Sequence, residues 1–105
     1  NDWNVSSATS MGEMFYSAKV FNQPLNKWNV GNVTNMRLMF RATNAFNQPL
    51  NDWNVSSVTN MVNMFWEAKA FTNQDLSSWN VGTSNKHNYF MNYSGGGNTE
   101  PNWNK

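Results

Sequence analysis

The sequence has no cysteine and few charged residues, and each shortage excludes a class of protein. Without cysteine, the 105-residue chain can form neither a disulfide framework nor a thiolate metal site. Only 12% of the residues are charged, and the net charge is +1, so no strong field favours nucleic acid or an anionic membrane surface. The longest apolar runs are only a few residues long, too short for a membrane span. We therefore expect no nucleic-acid partner and no membrane insertion.

What the chain does contain is a tandem repeat rich in asparagine and aromatic residues. The segment "FNQPLNKWNV" begins at Phe21, and "FNQPLNDWNV" begins 25 residues later at Phe46. A third copy, "FTNQDLSSWNV", begins at Phe71 and is one residue longer. Repeats of this length are typical of proteins in which each unit buries its apolar face against its neighbours.

Within one unit, two apolar patterns predict two kinds of element. "LNKWNV" has the L-x-x-L-x-L spacing of a leucine-rich repeat, which predicts a short parallel strand. In "NVTNMRLMFRA", apolar residues at i, i+3, i+6 and i+7 predict one face of a helix. The predicted fold is therefore an α/β repeat solenoid, leucine-rich-repeat-like, with short parallel strands alternating with short helices and right-handed connections. The predicted core consists of Trp3, Trp28, Trp53, Trp79, Met36, Met61, Phe40 and Phe65.

The repeat predicts a single domain over residues 1–105. Its units span about 3–27, 28–52 and 53–78, followed by a degenerate C-terminal unit at 79–105. The last unit has His87 where earlier units have methionine and ends in "SGGGNTEPNWNK", which is typical of a capping unit. Because the chain begins inside a unit, we expect it to be a fragment of a longer array.

The repeated segment resembles the BspA-like family of leucine-rich-repeat bacterial surface proteins. The resemblance rests on "WNVSSVTNMVNMFWEAKAF" from Trp53 to Phe71, on its counterparts at 3–21 and 28–46, and on the intervening "NQPLN". It implies export, attachment to a cell surface, and a role in adhesion or host contact. It implies no catalytic residues. Gln74-Asp75 departs from the repeated Gln-Pro pair.

The titratable residues do not form a recognisable catalytic or metal-binding motif. Six carboxylates are scattered along the chain, and none is paired with His87 at a motif spacing. The chain also lacks a glycine-rich phosphate loop after a strand and a calcium loop of spaced carboxylates. We therefore expect a protein that is not an enzyme and that has no cofactor or metal.

Positions that vary between copies are candidates for binding, because the core does not require them. Tyr16, Arg41 and Trp66 occupy equivalent positions and would form a row of two aromatics flanking a guanidinium, a composition enriched at binding hot spots. Ordinary surface decoration is the alternative. Arg37 is a further variable position and a candidate for partner binding.

A second candidate is the asparagine between the inward tryptophan and valine of each unit. Stacked side-chain amides could form a structural ladder along the units, or they could offer repeated donors and acceptors to a carbohydrate or a protein. The structural ladder is the favoured interpretation. The column contains Asn4, Asn29, Asn54 and Asn80.

Together these features predict a non-catalytic extracellular or cell-surface binding or adhesion module. The expected partner is a protein or glycan on another surface, or further copies of the chain itself. The alternative is a structural subunit of an extracellular filament formed by end-to-end stacking. A single threonine column, formed by Thr9, Thr34 and Thr59, makes an ice-binding role a weaker third option.

Overall fold

A computed structural model describes residues 4–82 and 85–103 of the chain. These residues form no α-helix and no extended strand, so the predicted α/β repeat solenoid with alternating strands and helices is wrong. The backbone instead consists of turns, and neighbouring units meet at isolated parallel bridges. The bridges pair Ser10 with Asn35, Asn35 with Asn60, Asn60 with Lys86, and Asp75 with Thr99.

The predicted helix of each unit is replaced by a series of turns, which we call the turn segment. In its second copy, the Met36 and Phe40 amides donate to the Asn60 and Met64 carbonyls of the next unit, at 2.9 and 2.8 Å. Between them, the Met39 amide donates to the Met36 carbonyl three residues earlier, at 3.2 Å. Backbone donors thus alternate between the local turn and the neighbouring unit. The turn segments span 10–18, 35–43, 60–68 and 86–94.

Left-handed residues recur every four positions in these segments and prevent a helix from forming. In the second copy they are Leu38 and Ala42, with φ of 61° and 60°. A positive φ at the third position of a turn is the type II geometry, which an α-helix cannot contain. The equivalent residues in the other copies are Glu13, Ser17, Asn63, Glu67, Tyr89 and Tyr93.

The four-residue pitch explains why the apolar pattern resembled a helix. Met36, Met39, Phe40 and Thr43 are all buried, at i, i+3, i+4 and i+7. This spacing also marks one face of an α-helix, so hydrophobic periodicity does not distinguish a helix from the turn segment. What differs is the destination of the backbone donors, half of which leave the unit.

The core is built from columns of aromatic side chains, one ring per unit. Phe40 stacks between Phe15 and Phe65, with centroid distances of 5.4 and 5.3 Å. Trp53 stacks on Trp79 at 6.4 Å. A further column consists of Phe21, Phe46 and Phe71. Of the residues expected in the core, Trp28, Trp53, Trp79, Met36, Met61, Phe40 and Phe65 are buried, and Trp3 lies outside the described residues.

Each inner tryptophan also bonds to the backbone of the preceding unit. Trp53 Nε1 donates to the Leu25 carbonyl, and Trp79 Nε1 donates to the Leu50 carbonyl, both at 2.8 Å. A buried indole N–H needs such a partner because leaving it unpaired costs about 1–3 kcal/mol. The indole is therefore a packing element and a bond between units at the same time.

The last unit closes the core with a different aromatic arrangement. Phe90 meets Phe65 edge-on, at 5.3 Å and 82°, so the face-to-face stacking ends there. Trp103 then packs edge-on against Phe90 and lies flat on His87 at 3.9 Å. The tail from Asn98 onward thus covers the end of the aromatic columns.

Candidate binding surface

The three variable residues of the row are in contact with one another. The Arg41 guanidinium carbon lies 4.0 Å from the Trp66 ring centroid and 5.4 Å from that of Tyr16. Tyr16 is 43% exposed, whereas Arg41 and Trp66 are half-buried. A guanidinium between two aromatic faces is a cation–π arrangement that holds all three side chains in place.

Turns, rather than a helix, direct this row away from the core. Each member follows a buried phenylalanine and precedes a left-handed residue, as Arg41 lies between Phe40 and Ala42. The bonds from the Ala42 amide to the Trp66 carbonyl and from the Ser17 amide to the Arg41 carbonyl, both 2.9 Å, fix the spacing of successive members. The predicted helix therefore does not account for the direction of these side chains, since no helix is present in the described residues.

Two polar atoms of the row are buried and lack a hydrogen-bond partner among the described residues. They are Arg41 Nε and Trp66 Nε1. A buried donor without an acceptor is costly, and more so when it belongs to a charged group. The row therefore contains two hydrogen-bond donors that are not satisfied by the described residues.

Tyr93 extends the row beyond the residues that the sequence suggested. Its ring lies 6.4 Å from that of Trp66, tilted by 48°, and the residue is 72% exposed. Alignment of the last unit by tryptophan spacing puts Tyr93 at the position of Glu67, one residue away from the row. Arg37 is exposed but, within 4–82 and 85–103, makes no ring contact with the row.

The asparagine column after the tryptophans forms local bonds. Asn29 Oδ1 accepts from the Gly31 amide at 3.0 Å, and Asn4 and Asn54 accept in the same way from the serine two residues later. These are Asx turns within one unit. Asn80, the fourth member, is exposed.

Side-chain amides at other positions join the units, and among them are the asparagines that follow Phe21 and Phe46. Asn22 Oδ1 accepts from the Asn47 amide at 2.8 Å, and Asn47 Oδ1 accepts from the Thr72 amide at 3.0 Å. Asn98 Oδ1 accepts from the Gln74 amide at 2.9 Å and carries the series into the tail. The repeated "FNQ" motif at Phe21 and Phe46 is the sequence signal for these bonds.

The hydroxyls of the threonine column donate to backbone carbonyls of the neighbouring unit. Thr34 Oγ1 donates to the Thr9 carbonyl at 3.1 Å, and Thr59 Oγ1 donates to the Thr34 carbonyl at 3.3 Å. A polar cleft of about 430 Å³ adjoins this column. Since the hydroxyls already bridge units, the column contributes to stacking.

Ionisable side chains do not converge on one place in the described part of the chain. No three of its histidine and carboxylate groups lie close enough to hold a metal ion. His87 Nδ1 lies 3.0 Å from the Asn85 carbonyl oxygen, and its ring is covered by Trp103. The Ser77 hydroxyl and amide donate to Asp75 and hold the pKa of that carboxyl below its ordinary value of 3.8.

A search for helices able to cross a membrane found none in the described residues. Comparison with known proteins gives one match. A family model described as "Mycoplasma protein of unknown function, DUF285" matches residues 1–103. No curated protein and no solved structure matches the chain.

Proposed function

The chain belongs to the DUF285 family, and we propose that it is a non-catalytic extracellular or cell-surface binding module. Its binding residues are Tyr16, Arg41 and Trp66, and its partner is a protein or glycan on another surface. The single observation that carries the proposal is the ordered row itself, in which Arg41 lies between two aromatic rings at 5.4 and 4.0 Å.

The row has the chemistry of a binding site, and its most exposed member, Tyr16, is not part of the core. Tyrosine, tryptophan and arginine are the residue types enriched at binding hot spots. The neighbouring phenylalanines already fill the core, so the large exposed area of Tyr16 gives no stability that a smaller polar residue would lose. The Arg41 guanidinium is held between the two rings before binding, so less side-chain freedom is lost when a partner binds.

A cell-surface location is part of the same proposal. The repeat resembles BspA-like surface proteins over the segment from Trp53 to Phe71 and its counterparts. Solubility that rests on 21 asparagines, rather than on charge, is compatible with a repeated surface module. His87 is engaged by Trp103 and by the Asn85 carbonyl, which favours packing over catalysis as its role.

The test is a binding array of immobilised matrix proteins and glycans, probed with the purified chain. The variant Tyr16→Ser/Arg41→Ser/Trp66→Ser should lose capture while still unfolding cooperatively in urea, at a midpoint lowered by the loss of the contacts between Arg41 and the two rings. A matched control is Lys19→Ser/Asn44→Ser/Lys69→Ser, which changes another column of three exposed residues, one per unit. This control should bind normally.

Two results would contradict the proposal. Normal capture by the row variant, together with loss of capture in Asn29→Ala/Asn54→Ala at unchanged stability, would move the binding surface to the asparagine column. Electron microscopy at rising protein concentration tests whether the chain forms filaments. Filaments with a regular axial repeat would favour a structural role through end-to-end stacking over adhesion.

A further inference from the structure

The C-terminal end of the row opens into a cleft of about 320 Å³. Its walls are the rings of Trp66, Tyr89 and Tyr93 together with the side chains of Asn63 and Asn92. A volume of this size lies at the small end of the range for small-molecule sites. Two of the walls, Tyr89 and Tyr93, are 63% and 72% exposed, so the cleft is accessible from solvent.

The rings in this cleft are arranged as a wedge. The Arg41 guanidinium packs over the Trp66 ring at 4.0 Å and fixes that ring. Tyr93 lies 6.4 Å from Trp66 and is tilted by 48°, so the two rings are in contact but their faces are not parallel. A wedge of two aromatic rings accepts a flat, partly apolar ring more readily than a bulky aliphatic group.

Two polar atoms of residues that line the cleft lack hydrogen-bond partners in the described part of the chain. Asn63 Oδ1 and Trp66 Nε1 are both buried, and neither has a hydrogen-bond partner among the described residues. One is an acceptor and the other a donor, so a ligand group that both donates and accepts would satisfy them. Because both atoms are covered in the free protein, a ligand hydroxyl can reach them only if side chains over the cleft shift, and the exposed Tyr89 and Tyr93 are the lining residues with most room to do so.

The lining also restricts the charge of the ligand. Asn63, Asn92 and the three aromatic residues carry no ionised group at neutral pH. Amides and ring hydroxyls bind neutral hydroxyl groups, and an ionic ligand would find no counter-charge among the residues that line the cleft. The chemistry is therefore that of a neutral, hydroxyl-rich ring.

We propose that this cleft binds a pyranose unit of a neutral glycan. The C–H face of the sugar packs on Trp66 and Tyr93, because its weakly positive hydrogens meet the negative face of the ring. Its hydroxyls, each one donor and two acceptors, bond to Trp66 Nε1, Asn63 Oδ1 and the Asn92 amide. The inference rests on the proposed function, because it assigns a ligand class to one end of the binding row.

The test follows the indole N–H signal of Trp66 by NMR while cellotetraose or chitotetraose is added to the whole chain. Binding should move this signal saturably, since the unpaired donor gains an acceptor, and should leave the buried Trp53 signal in place. Tyr89→Ser/Tyr93→Ser should weaken binding by about tenfold or more, a loss typical of a hot-spot pair. Asn63→Gly, which keeps the positive φ at this position, should weaken it as well.

The matched control is Val20→Ser, which replaces a 90% exposed side chain outside the binding row and the cleft and should leave saccharide affinity unchanged. If neither oligosaccharide moves the Trp66 signal, the glycan inference is wrong, whereas array capture that depends on Tyr16 and Arg41 would still support the broader binding function. Equal saccharide affinity in the parent and in Tyr89→Ser/Tyr93→Ser would also overturn the inference, because the binding would then lie elsewhere.

Discussion

Replacing Trp53 tests whether the aromatic columns hold the units together. Trp53 is 3% exposed, stacks on Trp79 at 6.4 Å and lies 6.2 Å from Phe40. Trp53→Ala removes these contacts and leaves a cavity, which typically costs about 3–5 kcal/mol. Since domains of this size are stable by about 5–15 kcal/mol, the loss is a large part of the total.

Trp53→Phe separates packing from hydrogen bonding. A phenyl ring keeps much of the stacking but removes the 2.8 Å bond from Nε1 to the Leu25 carbonyl. That carbonyl still accepts from the Trp28 amide at 3.0 Å, so it is not left without a partner. The hydrogen-bond part of the loss should therefore be about 0.5–1.5 kcal/mol.

Urea unfolding followed by near-ultraviolet circular dichroism measures both changes. The matched control is Trp66→Phe, because Trp66 Nε1 has no partner in the described residues, so this change breaks no hydrogen bond and should destabilise the protein less than Trp53→Phe. The expected order of destabilisation is Trp53→Ala, then Trp53→Phe, then Trp66→Phe. A midpoint for Trp53→Ala equal to that of the parent would refute the stacking argument.

Three further changes test other parts of the structure. Asn47→Ala should lower the free energy of unfolding by about 1–3 kcal/mol in urea, because the Thr72 amide loses its acceptor. Carboxyl NMR should find the pKa of Asp75 below 3.8, and Ser77→Ala should raise it. A lowered pKa stabilises the fold above pH 3.8, and this contribution is lost as the pH falls through the folded-state pKa. Glu13→Gly should raise stability by about 0.5–1 kcal/mol by relieving a left-handed backbone.

The Asn47→Ala and Asp75 predictions each have a result that would contradict them. Asn44 is exposed and makes none of the side-chain hydrogen bonds found at Asn47, so Asn44→Ala should leave the unfolding midpoint unchanged. An equal loss at both positions would mean that the bond between units contributes nothing. For Asp75, a pKa that Ser77→Ala does not move would show that the Ser77 hydroxyl is not its cause.

The position of the core could be predicted from the sequence, but the backbone could not. Tryptophan at 25- or 26-residue spacing and apolar residues at helical spacing mark side chains that must point inward, and in the described residues these are buried except at the first unit, where Met14 is 37% exposed. The spacing of apolar residues does not show which carbonyl accepts from each backbone amide. The alternation seen at Met36, Met39 and Phe40 requires donors shared with the next unit, which is a property of stacked copies.

The binding row shows the same division. Tyr16, Arg41 and Trp66 could be singled out because the repeat leaves them variable, and they do lie together. Tyr93 could not, because the irregular last unit changes the spacing and the tilt of its ring depends on three-dimensional packing. Asn22 and Asn47, which join units, could not be singled out, because asparagine follows tryptophan in all four units whereas this second column has threonine at position 72.

The left-handed positions offer the sharpest test of the turn backbone, since a helix or a strand would place no residue there. Glu13 is exposed with φ of 63°, and its two hydrogen bonds, from its amide to the Arg37 carbonyl and from the Tyr16 amide to its carbonyl, involve only the backbone. Glycine keeps both bonds and removes the left-handed cost of about 1–2 kcal/mol, against an entropy penalty of about 0.5–1 kcal/mol. Arg37→Gly is the matched control. Arg37 is exposed and does not have a positive φ, and the equivalent residue of the first unit, at position 12, is already glycine. This change should destabilise the protein by about 0.5–1 kcal/mol. If Glu13→Gly and Arg37→Gly shift the unfolding midpoint in the same direction, the left-handed turn does not carry the strain assigned to it.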